Sequence, residues 1–212
     1  IGNEYIPNTE NELPDENPQI CFGAYGKSFD FFSLKGVCEQ LIERLNISGV
    51  SFAPCKDNPT FHPGRCAEIK KDGKTLGILG EVHPQVCENY GIGAKAYLAR
   101  LDVKLAFSQT EPEREYTPLP KFPASTRDIS VLCDKELPVI EIDSAVRESV
   151  GKILESLELF DVYTGEQVPD GKKSVAYNII MRSADGTLSD EQVDAAMKRC
   201  VKSLAKLGVE LR

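Results

Sequence analysis

Apolar residues recur at three- and four-residue intervals in three stretches of the chain and alternate with polar ones in several others. The first helical stretch carries Phe31, Leu34, Cys38, Leu41, Ile42 and Leu45 on one side, the stripe of an amphipathic helix that Gly36 weakens only slightly. Short strands follow at 67–70, 75–82 and 97–102. The first two are joined through Asp72-Gly73, a pair suited to a tight hairpin because glycine takes positive φ at no steric cost and aspartate tolerates it. Residues 83–90 read as a short helix ended by Gly91, and 20–25 as a strand. Phe31, Phe32, Leu34 and Phe61 are candidates for core or contact, with core the better fit. The first nineteen residues are acidic, rich in Asn and Pro and aperiodic, and are expected to be a polar tail or loop.

The second half is more regular. Residues 129–133 alternate as a strand. Val139, Ile142, Val146 and Val150 mark one face of a helix stopped by Gly151. Strands are expected at 157–163 and 174–181, separated by a turn. Ser189 with Gln192 forms a capping box, and Val193, Met197, Cys200, Leu204 and Leu207 make the stripe of the helix it opens. Gly208 ends that helix and a short strand closes at 209–211. The order βαββαβ predicts a ferredoxin-like sandwich with both helices on one face of the sheet. The fold class is therefore α+β. Between the halves, 108–119 is charged, holds two prolines and lacks any apolar period, which predicts a domain boundary.

Composition narrows the function. The net charge is −8, unlike a protein whose whole task is to grip phosphates, so any nucleic-acid recognition must be local. The chain starts without Met and without an apolar leader, as a fragment of a longer protein would, and it has no apolar run long enough to cross a membrane. The seven cysteines form no CxxC pair, and Cys38, Cys133 and Cys200 sit at apolar positions, as reduced core thiols do. His62 and Cys66, and His83 and Cys87, stand four apart with Cys55 nearby, a zinc-like set. Each histidine precedes a proline, however, and turn residues are the better reading.

Five motifs of the second half, in order, are FPASTRDISV at 122–131, LFDVYTG at 159–165, KKSVAYNI at 172–179, TLSDEQV at 187–193 and LGVELR at 207–212. Together they resemble the ferredoxin-fold anticodon-binding domain of bacterial phenylalanine–tRNA ligase β-subunits, with Gln192 in place of the family's usual Glu. FDFFSLKG at 29–36, FHPGRCAEI at 61–69 and LGILGEVHP at 76–84 are similar to the stretch before that domain, the end of a class II synthetase-like module without an active site. The resemblance implies an inactive catalytic-like part at 20–110, a linker at 111–118 and the anticodon-binding domain at 119–212.

Alternation assigns the faces of the second sheet. Ile129, Val131 and Cys133, Phe160 and Val162, and Val175, Tyr177 and Ile179 should face the helices. Asp128, Ser130 and Leu132, Leu159, Asp161 and Tyr163, and Ser174, Ala176 and Asn178 should face out. A base can stack on Tyr163, and Asp161 can accept from guanine N–H groups. The resemblance makes Asp128, Ser130, Asp161, Tyr163, Ser174 and Asn178 candidate tRNA-binding residues. Arg127 joins them as a phosphate contact, with an internal ion pair an equal alternative. Lys198, Arg199, Lys202 and Lys206 lie opposite the last helix's stripe and read as a solvated face.

No phosphate loop, nucleophile elbow or paired-carboxylate arrangement is evident, so no catalytic residue is assigned. In the family, ATP, magnesium and phenylalanine are handled by the α-subunit, which leaves this part without a cofactor. The implied partners are phenylalanine tRNA, the α-subunit and the rest of the β-subunit, in the cytoplasm. Two other readings share the βαββαβ order: an amino-acid-sensing regulatory module, and a purely structural assembly domain.

Overall fold

The computed structural model describes residues 1–10, 13–112, 116 and 118–212. It divides into two units, Ile1–Tyr116 and Thr117–Arg212. The division falls inside the stretch expected as a linker, of which 113–115 and 117 lie outside the described residues.

In the first unit the elements run β1 (Gly2–Ile6), β2 (Asp15–Tyr25), α1 (Phe31–Arg44), β3 (Ser51–Pro54), β4 (Phe61–Lys71), β5 (Lys74–Val82), α2 (Pro84–Asn89), β6 (Ala96–Asp102) and α3 (Val103–Ser108). The strands form one antiparallel sheet in the order β1-β2-β6-β5-β4-β3. Helix α1 begins where the Asp30 carboxylate accepts from the Ser33 amide at 2.7 Å, and it buries Leu34, Cys38 and Ile42 against Ile69, Leu79, Tyr97, Ala99 and Leu101. Each such aliphatic side chain contributes about 1.5–3 kcal/mol on burial. The β4–β5 turn has Asp72 and Gly73 both at positive φ, 49° and 76°, the geometry whose twist matches that of the flanking strands. Leu34 and Phe61 are buried, Phe31 is partly so, and Phe32 stands 74% exposed.

Part of the stretch expected as a tail at 1–19 is instead strand, β1 and the start of β2, while 11 and 12 lie outside the described residues. β1 pairs with β2 from Gly2↔Gln19 to Ile6↔Asp15. Every residue of β1 is exposed, so no face was under pressure to be apolar and no alternation was written. Side-chain bonds serve in place of burial: Asn3 donates to Glu16 at 2.5 Å, Asn8 donates to Asp15 at 3.0 Å, and Arg100 pairs with Glu4 at 3.5 Å.

The second unit holds β7 (Ser125–Asp134), α4 (Val139–Val150), β8 (Leu154–Tyr163), β9 (Lys172–Met181), α5 (Asp190–Lys206) and β10 (Glu210–Leu211), with a single 3-10 turn at Gly151–Ile153. The strand order is β10-β7-β9-β8, the ferredoxin-like arrangement expected, with the core between one sheet face and the two helices. Gly151 ends α4 at φ 72°, a value that strains any side chain. Ser189 and Gln192 exchange hydrogen bonds as a capping box at the head of α5. The buried stripe of α5 is Val193, Ala196, Cys200 and Leu204; Met197 is partly buried, while Leu207 caps the helix and is exposed. Lys198, Arg199, Lys202 and Lys206 are exposed.

Candidate nucleic-acid interface

The face of the second sheet away from α4 and α5 is open, and the pairing register fixes what lies on it. Ile129, Val131 and Cys133 point to the core, with Val175, Tyr177 and Ile179 beside them. The opposite face carries Asp128 beside Asn178, Ser130 beside Ala176, and Leu132 beside Ser174. From β8 it receives Glu158 beside Asn178, Asp161 beside Ala176, and Tyr163 beside Ser174. Arg212 follows β10 and donates its backbone N–H to the Ser130 carbonyl at 2.9 Å, which brings it onto the same face.

Strand β8 departs from simple alternation. Its register with β9 shifts between Leu154 and Ser156 and again between Leu159 and Asp161. At the second shift Leu159 stands opposite Tyr177 and Phe160 is the extra residue of a bulge. Leu159 therefore occupies a helix-side position, not the outer one expected. Phe160 does not enter the core and is 57% exposed. Asp161 and Tyr163 lie on the outer face as expected, because the bulge restores the phase after Phe160.

Five of the sequence-derived residues meet on this face as an open set. Asp128 accepts from the Asn178 amide at 2.6 Å, which fixes the carboxylate while leaving it exposed. Asp161 is exposed, Tyr163 is 38% exposed, and Ser130 is half-buried. Two of the seven differ from expectation. Ser174 is on the outer face but only 4% exposed, enclosed between Leu132 and Tyr163, with its hydroxyl 3.2 Å from that of Ser130. It supports Ser130 from below rather than offering a free hydroxyl. Arg127 pairs opposite Ile179, so it falls on the helix-side face, and its guanidinium donates to the Thr126 carbonyl at 3.0 Å. It stands apart from the other six because an odd position on β7 cannot share a face with Asp128.

Three residues of the face escaped the sequence reading. A Cβ placed on Gly165 would come within 2.0 Å of the Tyr163 hydroxyl, so the ring lies directly against this glycine. The Arg212 guanidinium carbon lies 6.0 Å from the centre of the Tyr163 ring, and its Nη2 donates to Gln167 Oε1 at 3.3 Å. The signal for Gly165 and Arg212 was available, since both belong to motifs that were recognised. Parity along the final strand would have put Arg212 opposite Ser130.

In the first unit each histidine acts as a turn residue. His62 Nδ1 accepts from the Gly64 amide at 3.0 Å, and His83 Nδ1 accepts from the Gln85 amide at 3.2 Å as the cap of α2. Among the described residues no group of three or more His, Cys, Asp or Glu is placed to hold a metal ion. The face of the first sheet away from α1 presents Gly23, Tyr25 and Leu98 around an apolar hollow, and its Arg100 is paired with Glu4. Among the described residues no helix is long and apolar enough to cross a membrane.

A four-stranded βαββαβ sheet with both helices on one face is a ferredoxin-like fold, and its uncovered face here offers an aromatic ring, carboxylates and hydroxyls. Residues 120–212 match the family described as the ferredoxin-fold anticodon binding domain, and residues 1–103 match the family described as the phenylalanyl tRNA synthetase beta chain CLM domain. The chain belongs to the phenylalanine–tRNA ligase β-subunit family. It is 48% identical to the phenylalanine–tRNA ligase beta subunit of Clostridium acetobutylicum and 44% identical to that of Clostridium tetani, in each case over all of this chain and 27% of the relative. The corresponding protein of Symbiobacterium thermophilum is 38% identical over all of this chain and 25% of its own length. The chain thus spans about a quarter of the length of the curated relatives it matches.

Proposed function

We propose that the second unit binds the anticodon region of phenylalanine tRNA on its open sheet face, as part of a phenylalanine–tRNA ligase β-subunit. The observation that carries this reading is the joint exposure of Tyr163 and Asp161 beside the Asp128–Asn178 pair on one uncovered face. A base stacks on the Tyr163 ring, worth about 1–3 kcal/mol, and the carboxylate of Asp161 accepts from the N–H groups of a guanine edge. Carboxylates repel phosphates, so this face selects bases and contributes little general affinity for RNA. The first unit serves assembly with the remainder of the β-subunit and with the α-subunit. ATP, magnesium and the aminoacylation itself belong to the α-subunit, and the place of action is the cytoplasm.

The test is binding of this chain to the anticodon stem–loop of phenylalanine tRNA, to a loop with a changed anticodon, and to the cognate loop by the Tyr163→Ala protein, each at low and physiological salt. A preference for the cognate loop that Tyr163→Ala abolishes supports the reading. Equal or absent binding in all three rejects it in favour of assembly alone. A ligand-dependent change in mass with free amino acids would favour a regulatory module.

A further inference from the structure

We propose that Arg212 is the second wall of a base slot whose first wall is the Tyr163 ring. The inference deepens the anticodon reading above and rests on it.

Arg212 is held by its backbone as well as by its side chain. The N–H bond to the Ser130 carbonyl extends the β10–β7 ladder one residue beyond Leu211, so the guanidinium rises from a fixed point on the outer face. On that face it approaches the Tyr163 ring at 6.0 Å and donates to Gln167 from one nitrogen. Tyr163 is equally constrained, since its ring lies against Gly165 on one side. Two planar groups, each anchored at its base, therefore stand on the same face, Tyr163 beside Ser174 and Arg212 beside Ser130.

The spacing suits a guest. Stacked aromatic layers lie about 3.4 Å apart, so a base between ring and guanidinium needs about 7 Å from one wall to the other. The present 6.0 Å is short by about 1 Å, a distance that rotation about the arginine side-chain torsions supplies with the backbone unmoved. The Gln167 bond then acts as a tether that keeps the guanidinium over the slot in its empty state. Guanidinium planes stack on bases, whereas an ammonium group offers a point charge and no plane. The slot thus requires arginine, and its preference is for a flat ring system, not for a phosphate.

This distinction defines the experiment. The whole chain is titrated with the anticodon stem–loop of phenylalanine tRNA, and with loops in which each anticodon-loop nucleotide in turn is made abasic. Wild type, Arg212→Lys, Arg212→Met and Tyr163→Ala are compared, with thermal unfolding of each as a fold control. The expected result is a loss of about tenfold in affinity for both Arg212→Lys and Arg212→Met, with unfolding unchanged. The loss should vanish for one abasic position, and Tyr163→Ala should be insensitive to that same position. If Arg212→Lys binds like wild type, charge alone suffices and the slot is rejected in favour of a phosphate contact. If the positions silencing Arg212 and Tyr163 differ, the two walls do not share a base and the slot is likewise rejected. Loss of the anticodon preference itself in wild type rejects the parent reading as well. A Tyr163-dependent preference indifferent to Arg212→Lys rejects only the slot.

Discussion

Gly165 and Tyr163 are locked together: a Cβ on Gly165 would meet the Tyr163 hydroxyl oxygen at 2.0 Å and its Cζ at 2.3 Å. The ring offered to a base therefore has its position set by a residue with no side chain two places along the chain. Gly165 is not at positive φ, so alanine meets no backbone penalty there. Gly165→Ala is expected to swing the ring aside and weaken binding of the cognate stem–loop about tenfold, the worth of one stacked base, while unfolding shifts by less than about 0.5 kcal/mol. Binding and thermal unfolding measured on the same preparation check this.

Ser174 makes a contrasting case on the same face. Its hydroxyl is enclosed and shares a 3.2 Å bond with Ser130. Removing a buried hydrogen-bond partner costs about 1 kcal/mol. Ser130→Ala is expected to lower stability by about that amount, because it strands the enclosed Ser174 hydroxyl, and Ser174→Ala by less, because water can reach the Ser130 hydroxyl left behind. Urea unfolding of the two variants distinguishes them.

Much of this architecture was legible beforehand, and the failures share a cause. Helices α1, α4 and α5 each bury one stripe against a sheet, so burial imprinted a period on the sequence. β1 buries nothing and left no imprint. On β8, the alternation read backward from Tyr163 was right for Asp161 and wrong for Leu159, since a bulge is a change of phase and side-chain type alone does not announce it. Ser174 was placed on the correct face, but its burial depends on Leu132 and Tyr163 from neighbouring strands. Arg212 was overlooked for a similar reason, as its meaning lies in a ring far away in the sequence.

In the first unit, Glu81 is buried on the same face as Tyr97. Arg65 Nη1 donates to both of its carboxylate oxygens at 2.9 Å, and Lys95 lies 3.8 Å away. Removing one partner leaves a carboxylate in a site that excludes water on most sides. Loss of a partner from a fully buried pair costs about 3–5 kcal/mol; here the half-exposed Arg65 gives way to solvent, and about 2 kcal/mol is expected for Arg65→Ala. Glu81→Gln combined with Arg65→Ala should recover part of the loss. A double-mutant cycle in urea measures it.

Cys38 supplies a pH dependence. Burial, with Glu39 adding and Lys35 opposing, pushes its thiol up to about 12. Burial, with Cys55 adding, does the same to Cys66. A raised folded value favours the protonated thiol, so its stabilising effect is complete below the unfolded value near 8.5 and is lost as pH rises toward 12. Unfolding midpoints are expected to be flat from pH 7 to about 8 and to fall through pH 9–11, less steeply in Cys38→Ala. Alkylation at pH 8 should modify the exposed Cys21 in the folded protein, and Cys38 only after unfolding.

The bulge at Phe160 also bears on how the length of this domain can vary. Two residues, Leu159 and Phe160, stand against the single Tyr177, and the pairing resumes with Asp161 against Ala176. Deleting Phe160 would leave Leu157 and Leu159 toward the helices and Asp161 and Tyr163 toward the open face, in plain alternation. Deletion of a regularly paired neighbour such as Val162 would instead exchange the faces of the residues on one side of the gap. Phe160 is therefore a place on β8 where a sequence could gain or lose one residue and still present the same chemistry to its ligand.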